Sequence, residues 1–153
     1  MNRFNQVLPL TLVALLIISA GLAGCSSEST AGAATHSFAM ATLDDMPAEV
    51  QQAPVAVQQA YQFAVANPEI LEQIPCYCGC GAMGHTSNYA CYVAGVSEDG
   101  VIEYDNHALG CSICVDISQD VMRLLDQGKD VPEIFAYVDS NYARFGPPTP
   151  LEK

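Results

Sequence analysis

Three cysteines stand in alternate positions of residues 75–80, whose sequence is Pro-Cys-Tyr-Cys-Gly-Cys. Cysteines two residues apart form a disulfide bond with each other only under strain, so these sulfur atoms must find other partners. Three further cysteines follow downstream, at Cys91, Cys111 and Cys114. The partners can be a metal ion or the distant cysteines, and in either case the spacing predicts one sulfur-rich site.

The first three cysteines are predicted to face the same way. Side chains alternate along an extended segment, so Cys76, Cys78 and Cys80 point to one side, with thiols about 6–7 Å apart. Gly79 can adopt backbone angles that are closed to other residues and can fold the segment around a centre. Tyr77 faces the opposite side and is interpreted as a packing residue.

The later cysteines form a second half of the site. Cys111 and Cys114 have the i, i+3 spacing that places both on one face at the start of a helix, where backbone N–H groups and the helix dipole favour thiolate. His107 lies four residues before Cys111 and can add an imidazole. His85 follows Cys80 by five residues and can also provide an imidazole. A lone histidine is weak evidence for a ligand, and of the two histidines we include only His107 among the candidate ligands.

Clustered thiolates indicate a soft metal ion, Cu(I) or Zn(II). One zinc ion needs four ligands, and six thiols exceed that number, so the surplus favours Cu(I), which can form clusters with shared thiolates. Asp105 and Asp116 can orient His107 or cap the helix, although a surface position is the simpler interpretation. The candidate metal ligands are Cys76, Cys78, Cys80, Cys91, Cys111, Cys114 and His107.

Two other interpretations of the sulfur atoms remain open. Six cysteines permit 15 pairings, and disulfide bonds between the early and late cysteines would make this a stapled binding or adaptor domain without a metal. The spacing of Cys111 and Cys114 also fits a thiol–disulfide oxidoreductase, but the strands of a thioredoxin-type fold are missing from the pattern. Since other catalytic motifs are also absent from the sequence, we do not expect an enzyme.

The N-terminal residues have the pattern of a signal peptide. Arg3 is followed by an apolar run over residues 7–20, which ends in Leu-Ala-Gly-Cys at residues 22–25. This ending resembles a bacterial lipobox, in which Cys25 carries the lipid and becomes the mature N-terminus; an uncleaved anchor is the alternative. We therefore predict an extracytoplasmic lipoprotein that is anchored to the bacterial cell membrane, because a diacyl lipid holds a protein stably at a bilayer.

The mature chain would be strongly acidic. Removal of residues 1–24 leaves 129 residues with 4 basic and 17 acidic side chains, so the net charge is 4 − 17 = −13. Nucleic acids and anionic lipid surfaces need clustered lysine and arginine, so the composition argues against both as partners. The length suits one domain with a modest core.

The elements that must position the site are mainly helical. Residues 25–46 are small and polar without a period, and we interpret them as a lipid-anchored flexible tether before a folded domain at 47–148. Apolar spacing predicts a helix over 54–66, and Asn67 can cap a short helix that follows it. The sequence Asp-Gly at residues 99–100 predicts a small hairpin between two apolar runs.

Two further helices complete the predicted fold. The apolar positions between 111 and 127 have helical period, and Asp130 with Glu133 has the spacing of a capping box that begins the last helix. We therefore predict a mainly α protein, with about four helices around one core and a small β-hairpin.

The motif and its downstream partners resemble a known family. Residues 75–80, the pair Gly84-His85, the segment 104–107 and the stretch Cys-Ser-Ile-Cys-Val-Asp-Ile at 111–117 are similar to the PCYCGC-motif lipoproteins of bacteria. The resemblance covers about residues 54–146 and the lipobox. The family is largely of unknown function, so the resemblance implies an extracytoplasmic lipoprotein in which these cysteines form a defining set.

Together these patterns predict a monomeric, lipid-anchored domain that binds a soft metal ion, with Cu(I) favoured over Zn(II). Such a protein would capture, store or hand over the ion at the cell envelope. Its partners would be the membrane, through the lipid, and a protein that donates or accepts the metal.

Overall fold

Six α-helices and one two-stranded antiparallel sheet make up the part of the chain that this computed structural model describes, residues 36–151. This confirms the predicted fold class. The helices are α1 (Ala48–Gln51), α2 (Val55–Ala66), α3 (Pro68–Leu71), α4 (His107–Gly110), α5 (Ser112–Asp126) and α6 (Val131–Tyr142). The strands are β1 (Val93–Val96) and β2 (Ile102–Tyr104), and short 3-10 helices occupy Leu43–Asp45, Cys80–Met83 and Tyr89–Cys91.

Helix α5 is the centre of the core, and it packs against both α2 and α6. Its apolar residues recur every three or four positions, so Ile117, Val121 and Leu124 lie on one buried face. Burial of each such side chain contributes about 1.5–3 kcal/mol. The first turn of α5 carries Cys114, so the packing of this helix in the core also fixes part of the sulfur site.

Helix α6 begins with the predicted capping box. The Asp130 carboxylate accepts a hydrogen bond from the Glu133 N–H at 2.9 Å, and the Glu133 carboxylate accepts one from the Asp130 N–H at 3.2 Å. These bonds satisfy two backbone donors that the first turn otherwise leaves free. Ile134, Val138 and Tyr142 of the same helix are buried against the core.

The predicted hairpin is also present and leads directly into the site. Strand β1 pairs with β2, and an irregularity between Val93 and Gly95 interrupts the ladder. Beyond β2 the Asp105 N–H donates to the Tyr92 carbonyl at 2.9 Å, and the Tyr61 hydroxyl donates to the Asp105 carbonyl at 2.6 Å. Asp105 is therefore held at both backbone groups before α4 begins.

The segment from Phe38 to Met46, assigned to the tether by its composition, packs against the folded part. The Ala41 N–H donates to the Gln62 carbonyl at 3.0 Å, and Met46 is only 5% exposed. The Phe38 ring meets a core phenylalanine edge to face, with centroids 5.0 Å apart. The sequence did not indicate these contacts, because they depend on backbone hydrogen bonds and on apolar side chains that follow no helical or strand period.

Asn67 has a different role from the predicted helix cap. Its side-chain amide donates to the Ala39 carbonyl and to the Phe63 carbonyl, both at 2.8 Å, and the residue is 4% exposed. It makes no capping bond to α3. The buried amide therefore joins the N-terminal segment to the end of α2.

None of the helices between residues 36 and 151 is long and apolar enough to span a bilayer. The predicted signal peptide and Cys25 lie outside the described residues.

Candidate metal centre

The first cysteine of the motif is held by the C-terminal segment of the chain. The Cys76 N–H donates to the Thr149 hydroxyl at 3.0 Å, and the Thr149 N–H donates to the Cys76 carbonyl at 2.9 Å. Thr149 is 4% exposed. This threonine lies beyond the predicted domain end at residue 148, and sequence reasoning missed its role.

Tyr77 anchors the motif on its other side, as predicted for a packing residue. Its side chain is fully buried, and its hydroxyl donates to the Asp139 carboxylate on α6 at 2.7 Å. Gly146 lies against the same backbone, since a Cβ atom at this position would stand only 3.0 Å from the Tyr77 carbonyl oxygen. The motif is therefore enclosed between α6 and the C-terminal segment.

Gly79 turns the chain so that the third cysteine comes back toward the first two. Its φ angle of 87° lies in the left-handed region, and the 3-10 helix starts at the next residue. The sulfur atoms of Cys76, Cys78 and Cys80 are within 4.8 Å of one another. The three sulfur atoms do come together, but the predicted separation of 6–7 Å is wrong because the segment is folded rather than extended.

Replacement of Gly79 by alanine should destabilise the protein by about 1–2 kcal/mol, the cost of the left-handed conformation for a residue with a Cβ atom. A Cβ atom at this position would meet nothing within 4 Å, so the cost arises from the backbone alone. Urea unfolding of the reduced, metal-free chain measures it. Gly110→Ala is the matched control, since it adds a Cβ in open space without a positive φ. Equal stabilities of the two variants would contradict the strain argument.

Thr149→Val should cost about 1–3 kcal/mol, because the shape is kept while the buried Cys76 N–H loses its acceptor. Thermal unfolding of the reduced chain tests this expectation. Thr42→Val is the control, since Thr42 is exposed and its hydroxyl makes no capping bond. A Thr149 variant as stable as the Thr42 variant would show that the hydroxyl does not hold the motif.

The early and late cysteines meet in space, as the sequence predicted. Cys111 is the N-cap residue of α5 and Cys114 lies in its first turn. The Cys114 sulfur is 3.3 Å from the Cys76 sulfur and 3.6 Å from the Cys78 sulfur. Two buried side chains fix this turn, because the Cys114 carbonyl accepts bonds from the Asn88 amide at 3.2 Å and from the Tyr92 hydroxyl at 2.8 Å.

One group of four ligands lies at the partly exposed edge of the cluster. We call Cys78, His107, Cys111 and Cys114 the outer set; one ligand atom of each lies within 4.8 Å of the others. The Cys78 sulfur is 3.3 Å from Nε2 of His107. Three members are partly exposed and Cys114 is buried. His107 is placed by its own N–H, which donates to the Asp105 carboxylate at 2.7 Å.

A second group lies deeper. We call Cys80, His85 and Cys91 the inner set; all three are buried, and their ligand atoms lie within 4.8 Å of one another and of a ring nitrogen of His107. The sulfur atoms of Cys80 and Cys91 are 3.6 Å apart. His85 was not among the predicted ligands. Its position five residues after Cys80 was the only signal in the sequence.

Cys76 lies between the two sets. Its sulfur atom is within 4.8 Å of those of Cys78 and Cys114 in the outer set and of Cys80 and Cys91 in the inner set. All the predicted ligands therefore lie in one cluster, with Cys76 at its centre. Of the two candidate carboxylates, Asp105 contacts both histidines, while Asp116 lies exposed on α5.

The sulfur separations suit a shared ion. Distances of 3.3–3.6 Å between neighbouring sulfur atoms exceed the bond length of a disulfide, about 2.05 Å, and the six cysteines from Cys76 to Cys114 are free. Thiolates bound tetrahedrally to one zinc ion at about 2.3 Å stand about 3.8 Å apart. The sulfur–sulfur distances in this structure are therefore already close to those in a thiolate-bound metal site.

Hydrogen bonds between the thiols, with Cys114 as the first contributor, lower the pKa of both Cys76 and Cys80, so negative charge is favoured at these two sulfur atoms. The Cys114 thiol donates a hydrogen bond to the Cys76 sulfur and lowers the pKa of Cys76 to about 7. The same bond raises the pKa of Cys114, so the helix N-terminus does not make Cys114 the preferred thiolate as the sequence suggested. Burial raises the pKa of Cys78. A thiolate at Cys76 is the form that binds a metal.

Cys111 and Cys114 do not form an isolated pair of thiols. Cys111 and Cys114 have the expected position at a helix N-terminus, but Cys114 lies closest to Cys76 and shares its surroundings with several other sulfur atoms. The sheet in the described residues has two strands, so the frame of a thioredoxin-type enzyme is not found there.

Comparison with known proteins identifies one related group. A family model described as a protein of unknown function with PCYCGC motif matches residues 13–152. Neither a curated protein nor a solved structure is significantly similar to the chain.

Proposed function

The chain belongs to the family of proteins of unknown function with the PCYCGC motif, and we propose that its cysteine cluster binds a soft metal ion, Cu(I). The observation that carries the proposal is the convergence of the six cysteines between residues 76 and 114 into one cluster, in which five have a sulfur neighbour at 3.3–3.6 Å and Cys111 lies within 4.8 Å of the outer ligands. Two histidines border the same centre. Sulfur and imidazole nitrogen are the ligands of soft and borderline ions, whereas calcium and magnesium require oxygen.

Cu(I) is favoured over Zn(II) by the number and sharing of the thiols. A structural zinc site is complete with four ligands and keeps no surplus sulfur. Here Cys76 is within reach of both sets, so one thiolate has neighbours on two sides. Thiolates shared between ions are a feature of Cu(I) clusters, and the soft ligand set supports that ion.

The proposed site of action is the outer face of the bacterial cell membrane. The sequence pattern before Cys25 supports a lipid anchor. The protein would capture Cu(I) there, store it, or pass it to another protein. Cys78, His107 and Cys111 are partly exposed, so a donor or acceptor protein would exchange the ion at this edge.

Metal analysis of the full chain, purified in detergent under anaerobic conditions with reductant, tests the proposal. We expect Cu(I) to remain bound in the presence of a chromogenic Cu(I) chelator and to be released after the thiols are alkylated under denaturing conditions. If the chain, offered equal amounts of Cu(I) and Zn(II), retained Zn(II) in preference to Cu(I), the choice of ion would be overturned. A chain that retains neither ion while its thiols are reduced would overturn metal binding altogether.

A disulfide-stapled adaptor domain is the second candidate, and specific distances favour it. Cys76 lies 3.3 Å from Cys114, and Cys80 lies 3.6 Å from Cys91, so the sulfur atoms of both pairs are already neighbours. Intact mass separates the two functions. If three disulfides are the functional state, protein isolated without reductant would be metal-free and lighter than the fully reduced chain by six hydrogen atoms. If metal binding is the function, protein isolated in the same way would contain metal, and its polypeptide would have the mass of the fully reduced chain.

A further inference from the structure

The inner set contains a buried histidine nitrogen that the protein itself leaves without a partner. The His85 side chain is 10% exposed, and its Nδ1 atom is buried and makes no hydrogen bond to any described residue. A buried polar atom without a partner costs about 1–3 kcal/mol. One ring nitrogen of His85 is also within 4.8 Å of the Cys80 and Cys91 sulfur atoms, so a ligand from outside the chain can complete the site.

The other nitrogen of the same ring faces a carboxylate. Nε2 of His85 is 3.4 Å from Oδ2 of Asp105, while Oδ1 of Asp105 accepts the His107 N–H at 2.7 Å. A hydrogen on Nε2 would face this carboxylate and would leave a lone pair on Nδ1. Histidines that ligate a metal through one nitrogen commonly direct their other N–H at a carboxylate.

The cluster offers enough ligands for two ions. The outer set contains four candidate ligands, of which His107 also lies within 4.8 Å of the inner set. The inner set has Cys80, Cys91 and the free nitrogen of His85, and the Cys76 sulfur is within 4.8 Å of both inner cysteines. Each set can thus provide three or four soft ligands, with Cys76 available to both.

We propose that the cluster holds two Cu(I) ions, the second bound by Cys80, Cys91 and Nδ1 of His85, with the Cys76 thiolate shared between the ions. Asp105 is the positioning residue that fixes the His85 ring. This inference rests on the proposed function and adds to it the number of ions and a histidine ligand. The buried second ion would be held in reserve behind the outer one.

Anaerobic titration of the reduced full chain with Cu(I), in competition with a chromogenic chelator, tests the number of ions. We expect two ions per chain, and one in His85→Ala. His36→Ala is the matched control, because His36 is also paired with a carboxylate, Asp126 at 2.8 Å, but is exposed and remote from the cysteine cluster; it should keep two ions.

A second measurement does not depend on a substitution. In the 15N-labelled chain, Cu(I) should shift the NMR resonance of Nδ1 of His85 and leave both ring nitrogens of His36 unchanged. Asp105→Asn would place an amide against Nε2, so the resting tautomer of His85 should change and the second ion should bind about 10–100-fold more weakly.

The outcomes distinguish this inference from the proposed function. A wild-type chain that binds no ion refutes both. Binding of one ion in both the wild type and His85→Ala, or an unchanged Nδ1 resonance at saturation, refutes the second site while Cu(I) binding stands. Loss of one ion in the His85 variant alone, with the Nδ1 shift in the wild type, supports the second site.

Discussion

Replacement of Cys76 by serine should weaken Cu(I) binding by more than about 100-fold. Loss of a residue that merely orients a ligand typically costs about 10–100-fold in affinity, and Cys76 is at the centre of the ligands themselves. Its sulfur lies 3.3 Å from that of Cys114 and 3.5 Å from that of Cys78, and it is within 4.8 Å of the inner cysteines. Serine keeps the size of the side chain but offers an oxygen atom, which soft ions disfavour. Anaerobic competition with a Cu(I) chelator measures the change.

Cys111→Ser is the comparison for this experiment. Cys111 has ligand neighbours only in the outer set and lies at its partly exposed edge, so its loss should weaken binding less than the loss of Cys76. Circular dichroism of the metal-free variants verifies that both remain folded. If the two variants bind Cu(I) equally, or if Cys76→Ser binds like the wild type, Cys76 is not the shared ligand.

Cu(I) should also raise the thermal unfolding temperature of the reduced chain by about 10–25 °C. An ion that binds only the folded state at a free concentration 1,000 times its dissociation constant adds about 4.1 kcal/mol of stability. For a domain of roughly this size, each kcal/mol corresponds to a shift of several degrees. The cluster joins the motif to the start of α5, so the ion would link segments that separate on unfolding. Differential scanning calorimetry at a buffered free Cu(I) concentration measures this shift.

Mg²⁺ is the control ion, because a hard cation that prefers oxygen ligands should leave the unfolding temperature unchanged. The Cys76→Ser variant at the same free Cu(I) concentration should show a much smaller increase. An equal increase with Mg²⁺ would mean that the acidic surface rather than the sulfur cluster is responsible. The absence of any increase with Cu(I) would mean that the folded state does not bind the ion preferentially.

Local patterns in the sequence were sufficient to predict the frame of the fold. The apolar period of α5 and the capping box of α6 both depend on residues that are close in sequence. Both helices are where these signals predict them. The meeting of the motif with Cys114 was also predictable, because six sulfur atoms in one chain are most simply explained by a common site.

The contacts that complete the site could not be predicted, because each joins residues that are far apart in sequence and individually ordinary. Thr149 stands among prolines and gives no periodic signal for its bonds to Cys76. The orientation of His85 depends on Asp105, twenty residues later. The sulfur separations depend on the φ angle of Gly79, which the sequence permits but does not require.

The two hydrogen bonds between Thr149 and Cys76 also bear on the order of events during folding. They join residues 73 positions apart, and such contacts form late because the entropy of closing a long loop must be met first. A chain in which the segment around Thr149 has not yet docked already has the six clustered cysteines but lacks the two bonds that hold the Cys76 backbone. Metal loading should therefore be most accurate after this segment has docked, when Cys76 is fixed in place.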